Sequence, residues 1–213
     1  MNYAQADDFI NSLVGSPNTK RLTVAGISSF YTYMERRNSS IENPIRGTKA
    51  RPSAKAVKEV EIPDNEDMEV ILNELPELER MAVYIMAYRG LRVGALSGLK
   101  VRGNSYQTVS KGKQIYGHFS DDIMNNIKVS DLSNKTPFSE YSTNSLKVRI
   151  YRAVKKLHKD KKIKAAYSAH DFRHYYAVNE YKHNRDIYRL SKLLNHSNIA
   201  ITETYLKSFR INA

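Results

Sequence analysis

The chain has 213 residues, which is enough for one large domain or two modest ones. Its formal net charge of +12 and pI near 9.7 favour a polyanionic partner, because lysine and arginine displace counterions from phosphates. The absence of cysteine excludes disulfides, thiolate catalysis and the common structural zinc sites, and no apolar run approaches the roughly 18 residues of a membrane helix.

The N-terminal part has the pattern of two helices. The opening residues MNYAQADDFI carry two acids and lack the basic and apolar regions of a secretory signal, so we expect a cytoplasmic protein. Residues 3–14 fit a short helix that ends near Gly15, and Ser16-Pro17-Asn18 caps the next one. Up to Arg37, apolar residues recur at the spacing of one helix face, at Ile27, Phe30, Tyr31 and Met34.

A linker is predicted at about residues 45–62. The basic, Ser/Pro-containing run from Lys49 to Lys58 interrupts the helical pattern and has the composition of a connection between two units. We therefore predict two domains, residues 1–58 and residues 59–213.

Charge is distributed unevenly over the second domain. The stretch from Glu59 to Glu79 holds nine acids and no base, and Pro63-Asp64 begins an amphipathic helix there, which we expect to face away from a phosphate. From Leu146 to Ala213, sixteen Lys or Arg stand against five acids. The densest charge run favours a solvated face, with DNA backbone contact as the second interpretation; it comprises Lys155, Lys156, Lys159, Lys161, Lys162 and Lys164.

One β-rich region interrupts the helices. The helical stretch Leu78–Leu99 breaks at Gly90, and the segment Tyr106–Ser120 then predicts a hairpin whose tip is Lys111-Gly112-Lys113. Helical patterns resume after it. The predicted fold class is mainly α with a small antiparallel β-sheet.

The segment Ser168-Ala169-His170-Asp171 has the form of a capped helix start, which places His170 and Arg173 in the first turn. Such an end favours anions, so the pair is suited to clamp a phosphate, although ordinary packing residues would give the same local pattern. His170 and His174 could also approach one metal ion. We favour packing for this pair, because no third ligand accompanies it.

A second corner is predicted at Leu193–Asn198, where one helix ends and another begins, because Asn195 tolerates the left-handed conformation of a helix end. His196 lies in this corner, and Tyr205 follows it by nine residues on the next helix. With fifteen tyrosines in the chain, Tyr205 gains significance from this spacing alone.

Taken together, these segments resemble the conserved boxes of tyrosine recombinases, the family of integrases, resolvases and Xer-type enzymes. The runs are Gly90-Leu91-Arg92, His170 to Arg173, and Leu194-Asn195-His196 followed by Tyr205. Order and approximate spacing agree across residues 63 to 205, and the first 60 residues resemble the family's helical core-binding domain. The resemblance implies a six-residue active site of Arg92, Lys111, His170, Arg173, His196 and Tyr205.

The resemblance also implies the role of each residue. Tyr205 is the nucleophile that forms a 3′-phosphotyrosyl link, and Arg92 and Arg173 stabilise the charge on the phosphate. Lys111, with Lys113 in reserve, protonates the leaving 5′ oxygen. His170 accepts a proton or positions the tyrosine, and His196 donates a hydrogen bond to the phosphate. No cofactor is implied, neither ATP nor a metal ion.

The implied partner is double-stranded DNA, bound by a homotetramer that assembles from monomers, with no membrane contact and no accessory DNA-bending protein specified. The implied source is a mobile element or phage. Two positions depart from the family pattern, Ala95 in place of an acid and Asn195 in place of glycine. In addition, the N-terminal domain is short by about one helix, and eight residues follow Tyr205. These features and Ala95 motivate a first alternative, a catalytically idle or truncated DNA-binding member. A second alternative is a DNA-relaxing enzyme like topoisomerase IB.

Overall fold

The computed structural model describes residues 2–48, 61–127 and 136–207, apart from the side chains of Thr204 and Tyr205. The chain divides into two compact units, Met1–Lys58 and Glu59–Ala213. The described elements are mostly helices with one three-stranded antiparallel sheet, which confirms the predicted fold class. None of the helices in these ranges is long and apolar enough to cross a membrane.

The first unit contains the two predicted helices, α1 (Tyr3–Ser12) and α2 (Pro17–Arg37). The side chain of Asn2 accepts a hydrogen bond from the Gln5 amide, and Ser16 accepts one from the Thr19 amide, so each helix begins at a capping residue. The small hydrophobic core of this first unit is formed by Ala6, Ile10 and Ile45.

The second unit combines helices with the sheet, and it has one large hydrophobic core and a smaller cluster that includes Leu190, Leu194 and Leu206. Helix α4 (Glu77–Arg89) contributes most to the large core, since its residues from Met81 to Ala87 are all buried. The elements in chain order are α3 (Asn65–Glu74), α4 (Glu77–Arg89), α5 (Val93–Leu96), β1 (Lys100–Arg102), β2 (Ser105–Ser110), β3 (Lys113–His118), α6 (Asp121–Asn126), α7 (Thr143–Lys159), α8 (Ala169–Asn184), α9 (Ile187–Leu193) and α10 (Ile199–Lys207).

The predicted hairpin is confirmed as β2 and β3, which pair antiparallel with Ser110 opposite Lys113. Lys111 and Gly112 form its two-residue turn, and both have positive φ, 51° and 75°. This backbone conformation matches the twist of the two strands. The sheet order is β1-β2-β3, and the sequence did not predict β1 because it has only three residues.

The acidic helix α3 holds part of the basic run in place. Lys162 lies 2.7 Å from a Glu74 carboxylate oxygen, and Lys164 bridges Asp64 and Glu66. The buried carboxylate of Asp67 accepts hydrogen bonds from the Lys164 amide and the Tyr167 hydroxyl. All six lysines of the run are exposed, and the ion pairs of Lys162 and Lys164 lie on the loop that leads into α8.

Two glycines with positive φ give a matched test of the packing at the end of α4. A Cβ added at Gly90, where φ is +68°, would lie 2.4 Å from the buried Tyr176 ring. A Cβ at Gly103, where φ is +57°, would meet nothing within 4 Å. We predict that Gly103→Ala costs about 1 kcal/mol of backbone strain and that Gly90→Ala costs at least about 1 kcal/mol more, measured by urea unfolding. Equal losses would show that Tyr176 yields without cost.

Candidate active site

Arg173 on α8 joins three parts of the second unit. Its side chain is 3% exposed, and its guanidinium donates one hydrogen bond to the Gly90 carbonyl and another, of 2.6 Å, to the Leu194 carbonyl. Gly90 and Leu194 are the C-cap residues of α4 and α9, where carbonyls have no partner within the helix. The buried charge is therefore hydrogen-bonded, and it fixes two helix ends against α8.

The turn that Arg173 holds leads directly to Arg92. The chain leaves α4 through the left-handed Gly90, and Arg92 follows as the N-cap residue of α5. Arg92 is half-buried, and its carbonyl accepts a hydrogen bond from the amide of Ala95.

Arg92 lines a pocket of about 870 Å³ together with three other predicted site residues, Lys111, His170 and Arg173. Six side chains in this wall are cationic, and none of the residues that line it is a carboxylate. The remaining cations come from one face of α7: Lys147, Arg152 and Lys155. A pocket of this composition is suited to an anion.

The hairpin accounts for the position of Lys111. Ser110 at the end of β2 is buried and also lines the pocket, and the turn then carries the exposed Lys111 along the pocket edge. Lys113, on the other arm of the turn, is exposed and is not among the residues that line the pocket. Of the two lysines considered from the sequence, Lys111 is thus the one that borders the pocket.

His170 lies in the first turn of α8, where Ser168 and Asp171 form the predicted capping box. Burial, followed by the charge of Arg173, lowers the pKa of His170, and the nearby carboxylate of Asp171 opposes this shift only in part. His170 is therefore neutral at pH 7 and able to accept a proton. Its ring contacts that of His174 edge to face, with 4.2 Å between centroids.

The contact between His170 and His174 does not extend to a metal site. Within the described ranges, no group of three or more potential metal ligands occurs. His174 is 6% exposed, and burial, then His170 and Arg173, lower its pKa to about 3. The two rings pack against each other, and burial keeps the ring of His174 neutral at pH 7.

His196 lies in the corner between α9 and α10. Asn195 adopts the left-handed conformation with φ of 50°, as predicted, and the His196 amide then donates a 3.0 Å hydrogen bond to the Ser191 carbonyl. Burial, then the charges of Arg173, Arg92 and Lys111, lower the pKa of His196 to about 4.

The tautomer of His196 follows from its neighbour on α10. Its Nδ1 lies 2.9 Å from the hydroxyl of Thr202, which is fully buried. When this hydroxyl donates to Nδ1, the proton of the neutral ring resides on Nε2, which is then a hydrogen-bond donor. At pH 7 the His196 ring is therefore neutral and can donate one hydrogen bond, from Nε2, to an anion.

Tyr205 belongs by its backbone to α10, and its side chain lies outside the described part of the structure. The helix itself is anchored, because Thr202 and Leu206 are fully buried and Leu206 packs in a cluster with Leu190 and Leu194. The structure thus brings Arg92, Lys111, His170 and Arg173 together around one pocket, and charge interactions link His196 to them.

Of the α7 residues that line the pocket, the sequence singled out only Lys155, as part of the basic run with DNA backbone contact as the second interpretation. The pocket-facing side chains of α7 recur at helical spacing. The ammonium of Lys155 lies 5.9 Å from the centroid of the exposed Tyr151 ring. The signal was present as an i, i+4 pattern of bases around an aromatic residue. The α7 face that lines the pocket consists of Thr143, Lys147, Val148, Tyr151, Arg152 and Lys155.

Comparison with known proteins gives consistent results. A family model described as the phage integrase family matches residues 63–210. The chain is similar to a tyrosine recombinase of Pseudothermotoga lettingae, at 22% identity over 86% of this chain and 68% of the relative. It is also similar to the tyrosine recombinase XerC of Caldanaerobacter subterraneus subsp. tengcongensis, at 28% identity over 95% of this chain. It spans 63% of that second relative's length.

Solved structures share the fold at low identity. One is the XerH site-specific recombinase bound to its palindromic difH substrate in a post-cleavage complex. It has a TM-score of 0.67 at 14% identity, over 97% of this chain and 69% of the other. A second is a lambda integrase dimer bound to a COC′ core site, with a TM-score of 0.73 at 14% identity, over 100% of this chain and 66% of the other.

The lowered pKa of His174 predicts a pH-dependent stability. Unfolding returns its pKa from about 3 to the ordinary 6.5, so between these values the unfolded chain binds more protons, and stability falls as the pH decreases. From pH 6.5 to pH 5, we predict that wild type loses about 2 kcal/mol more unfolding free energy than His174→Gln. The measurement is urea unfolding at both pH values, with His118→Gln, an exposed residue of β3, as the matched control. An equal pH dependence in wild type and His174→Gln would contradict the prediction.

Proposed function

The chain belongs to the phage integrase family, whose model matches residues 63–210, and on that premise we propose that it is a site-specific DNA recombinase. The observation that carries the proposal is the pocket with six cationic side chains and no carboxylate in its wall. Its floor includes the N-terminal turn of α8, a 16-residue helix whose end favours anions. A backbone phosphate of double-stranded DNA is the anion that fits this family and this charge.

Arg92 and Arg173 are proposed to hold the scissile phosphate. Negative charge develops on its non-bridging oxygens as a fifth ligand approaches phosphorus, and fixed guanidiniums stabilise that charge. The carbonyls of Gly90 and Leu194 fix the guanidinium of Arg173, so little reorganisation is required when the charge appears. Chemistry of this kind needs no metal ion, and no ATP, because the phosphotyrosyl link conserves the bond energy.

The proton transfers are proposed to involve the remaining residues. The Tyr205 hydroxyl forms the bond to phosphorus, its proton passes to the neutral His170, and the bond to the 5′ oxygen breaks. Lys111 gives that oxygen a proton, which leaves a 3′-phosphotyrosyl link and a free 5′-hydroxyl. His196 keeps its proton and donates a hydrogen bond from Nε2 to a phosphate oxygen. Attack by an incoming 5′-hydroxyl reverses each step and reseals the strand.

The proposal also covers assembly and location. We propose that residues 1–58 form a helical core-binding domain, that residues 59–213 form the catalytic domain, and that the two bind duplex DNA. A homotetramer would then assemble from monomers on two sites, in the cytoplasm, for the integration or excision of a mobile element. The two DNA-bound structures with this fold, of XerH and lambda integrase, support the choice of duplex DNA.

Covalent trapping tests the nucleophile. The chain is incubated with nicked suicide duplexes that tile the DNA flanking its gene, and denatured complexes are resolved by size. We expect a DNA-linked band with wild type, no band with Tyr205→Phe, and at least about 100-fold slower accumulation with Arg92→Ala, because one charge-stabilising donor is lost. Binding measured by gel shift should change less than about tenfold, since one of many phosphate contacts is removed.

Tyr188→Phe is the matched control, because Tyr188 is an exposed tyrosine on α9 that lies outside the pocket wall. It should form the wild-type band. A band that persists in Tyr205→Phe would refute the assignment of the nucleophile. No band from any variant, with binding intact, would favour a catalytically idle DNA-binding member, and relaxation of plasmids that lack a site would favour the topoisomerase-like alternative.

The α7 face provides a test of DNA contact that does not depend on cleavage. Arg152 and Lys155 line the pocket, whereas Lys162 and Lys164 pair with acids near α3. We predict that Arg152→Ala/Lys155→Ala weakens DNA binding and lowers the slope of log affinity against log salt by about 1.8, as expected for two lost phosphate contacts. The control Lys162→Ala/Lys164→Ala removes the same charge, and its slope should stay near wild type. Equal slopes for the two double variants would contradict the assigned DNA surface.

A further inference from the structure

Thr108 on β2 has a buried hydroxyl whose presence requires explanation. The residue is 2% exposed and lies on the same face of the strand as the buried Tyr106. A valine of the same shape would suit a buried strand position better, because a hydroxyl removed from water costs free energy unless it is hydrogen-bonded. The hydroxyl of Thr108 donates a hydrogen bond to the carbonyl of Ala95, which is itself fully buried.

The acceptor belongs to the element that carries Arg92. Helix α5 is a single turn, Val93–Leu96, and the carbonyls of so short a helix have few partners within it. The amide of Ala95 donates a 2.8 Å hydrogen bond to the Arg92 carbonyl, and the carbonyl of Ala95 is left to accept from Thr108. One chain of hydrogen bonds therefore runs from Arg92 through Ala95 to Thr108.

The other end of this connection is Lys111. Thr108 pairs with Ile115 on β3, Ser110 pairs with Lys113, and the turn with Lys111 follows at once. Three residues of extended strand cover about 10 Å, so an attachment at Thr108 fixes the hairpin close to its tip. The hydroxyl thus joins the turn that holds the phosphate clamp to the strand that carries the lysine.

We propose that Thr108 is a positioning residue, which sets the height of the Lys111 ammonium relative to the phosphate held by Arg92. The proposal rests on the proposed function, in which Lys111 protonates the leaving 5′ oxygen. Proton transfer requires donor and acceptor within hydrogen-bond reach, and a displacement of 1 Å at a reacting group is enough to slow a reaction by up to about 100-fold. Loss of the Thr108 bond should therefore affect protonation of the leaving group and spare the arginine clamp.

Thr108→Val removes the hydroxyl and keeps the shape, and Thr108→Ser keeps the hydroxyl. Single-turnover cleavage is measured on the duplex identified by trapping, once with oxygen and once with sulfur at the 5′ bridging position of the scissile phosphate. When the phosphorus–sulfur bond breaks, the thiolate leaves without a proton, so cleavage no longer needs Lys111. We expect Thr108→Val to be about tenfold slower on oxygen, as for one lost buried hydrogen bond, and near wild type on sulfur.

Reference variants distinguish a defect in leaving-group protonation from a defect in charge stabilisation. Lys111→Ala should show the same rescue by sulfur, Arg92→Ala should be slow on both substrates, and Thr108→Ser should match wild type. Equal slowing of Thr108→Val on both substrates, or no slowing on oxygen, would overturn the positioning role. If trapping yields no cleaved duplex, the proposed function fails, and a measurement without DNA then tests the attachment made by Thr108.

Hydrogen exchange of the free protein is that measurement. In Thr108→Val the amides of Ser105–Ser110 and Lys113–His118 should exchange about tenfold faster than in wild type, because the attachment of the hairpin to α5 is lost. Amides of α8 should be unchanged, and Thr108→Ser should resemble wild type. Unchanged exchange in the hairpin would overturn the proposal whether or not the chain cleaves DNA.

Discussion

The buried guanidinium of Arg173 is the constraint on which the site depends. It satisfies the terminal carbonyls of α4 and α9 at Gly90 and Leu194, and so fixes two helix ends against α8. The first end leads to Arg92 and the second to the corner of His196. A residue proposed to bind phosphate is therefore also part of the framework of the second unit, because a buried charge is tolerated only when its donors are used.

The electrostatics of the pocket follow from this framework. Burial, followed by the charges of Arg173 and Arg92, lowers the pKa of both His170 and His196, so the two rings are neutral at pH 7. Neutral imidazoles can accept or donate single protons while the arginines and lysines supply the charge. The division is consistent with the proposed chemistry, in which charge stabilisation and proton transfer are assigned to different residue types.

Much of the fold and of the candidate site was predictable from the sequence, because the features concerned depend on residues that are close together in the chain. The capping box at Ser168, the left-handed Asn195 and the hairpin at Lys111-Gly112 depend on neighbouring residues, so short-range patterns predicted them. The ties between distant segments were not predictable, because Arg173 meets carbonyls 83 and 21 residues away. The same limit applies to the pairing of Lys162 with Glu74 across 88 residues, which distinguishes it from the pocket-lining Lys155.

The most direct measurement is a crystal structure of Tyr205→Phe bound to a duplex that contains its cleavage site. If the proposed site is correct, a single phosphate will lie in the pocket. The guanidiniums of Arg92 and Arg173 will then be within about 3 Å of its non-bridging oxygens, and Lys111 Nζ will be near its 5′ oxygen. A phosphate outside the pocket, or one contacted by Arg92 alone while Lys111 points to another part of the backbone, would contradict the proposal.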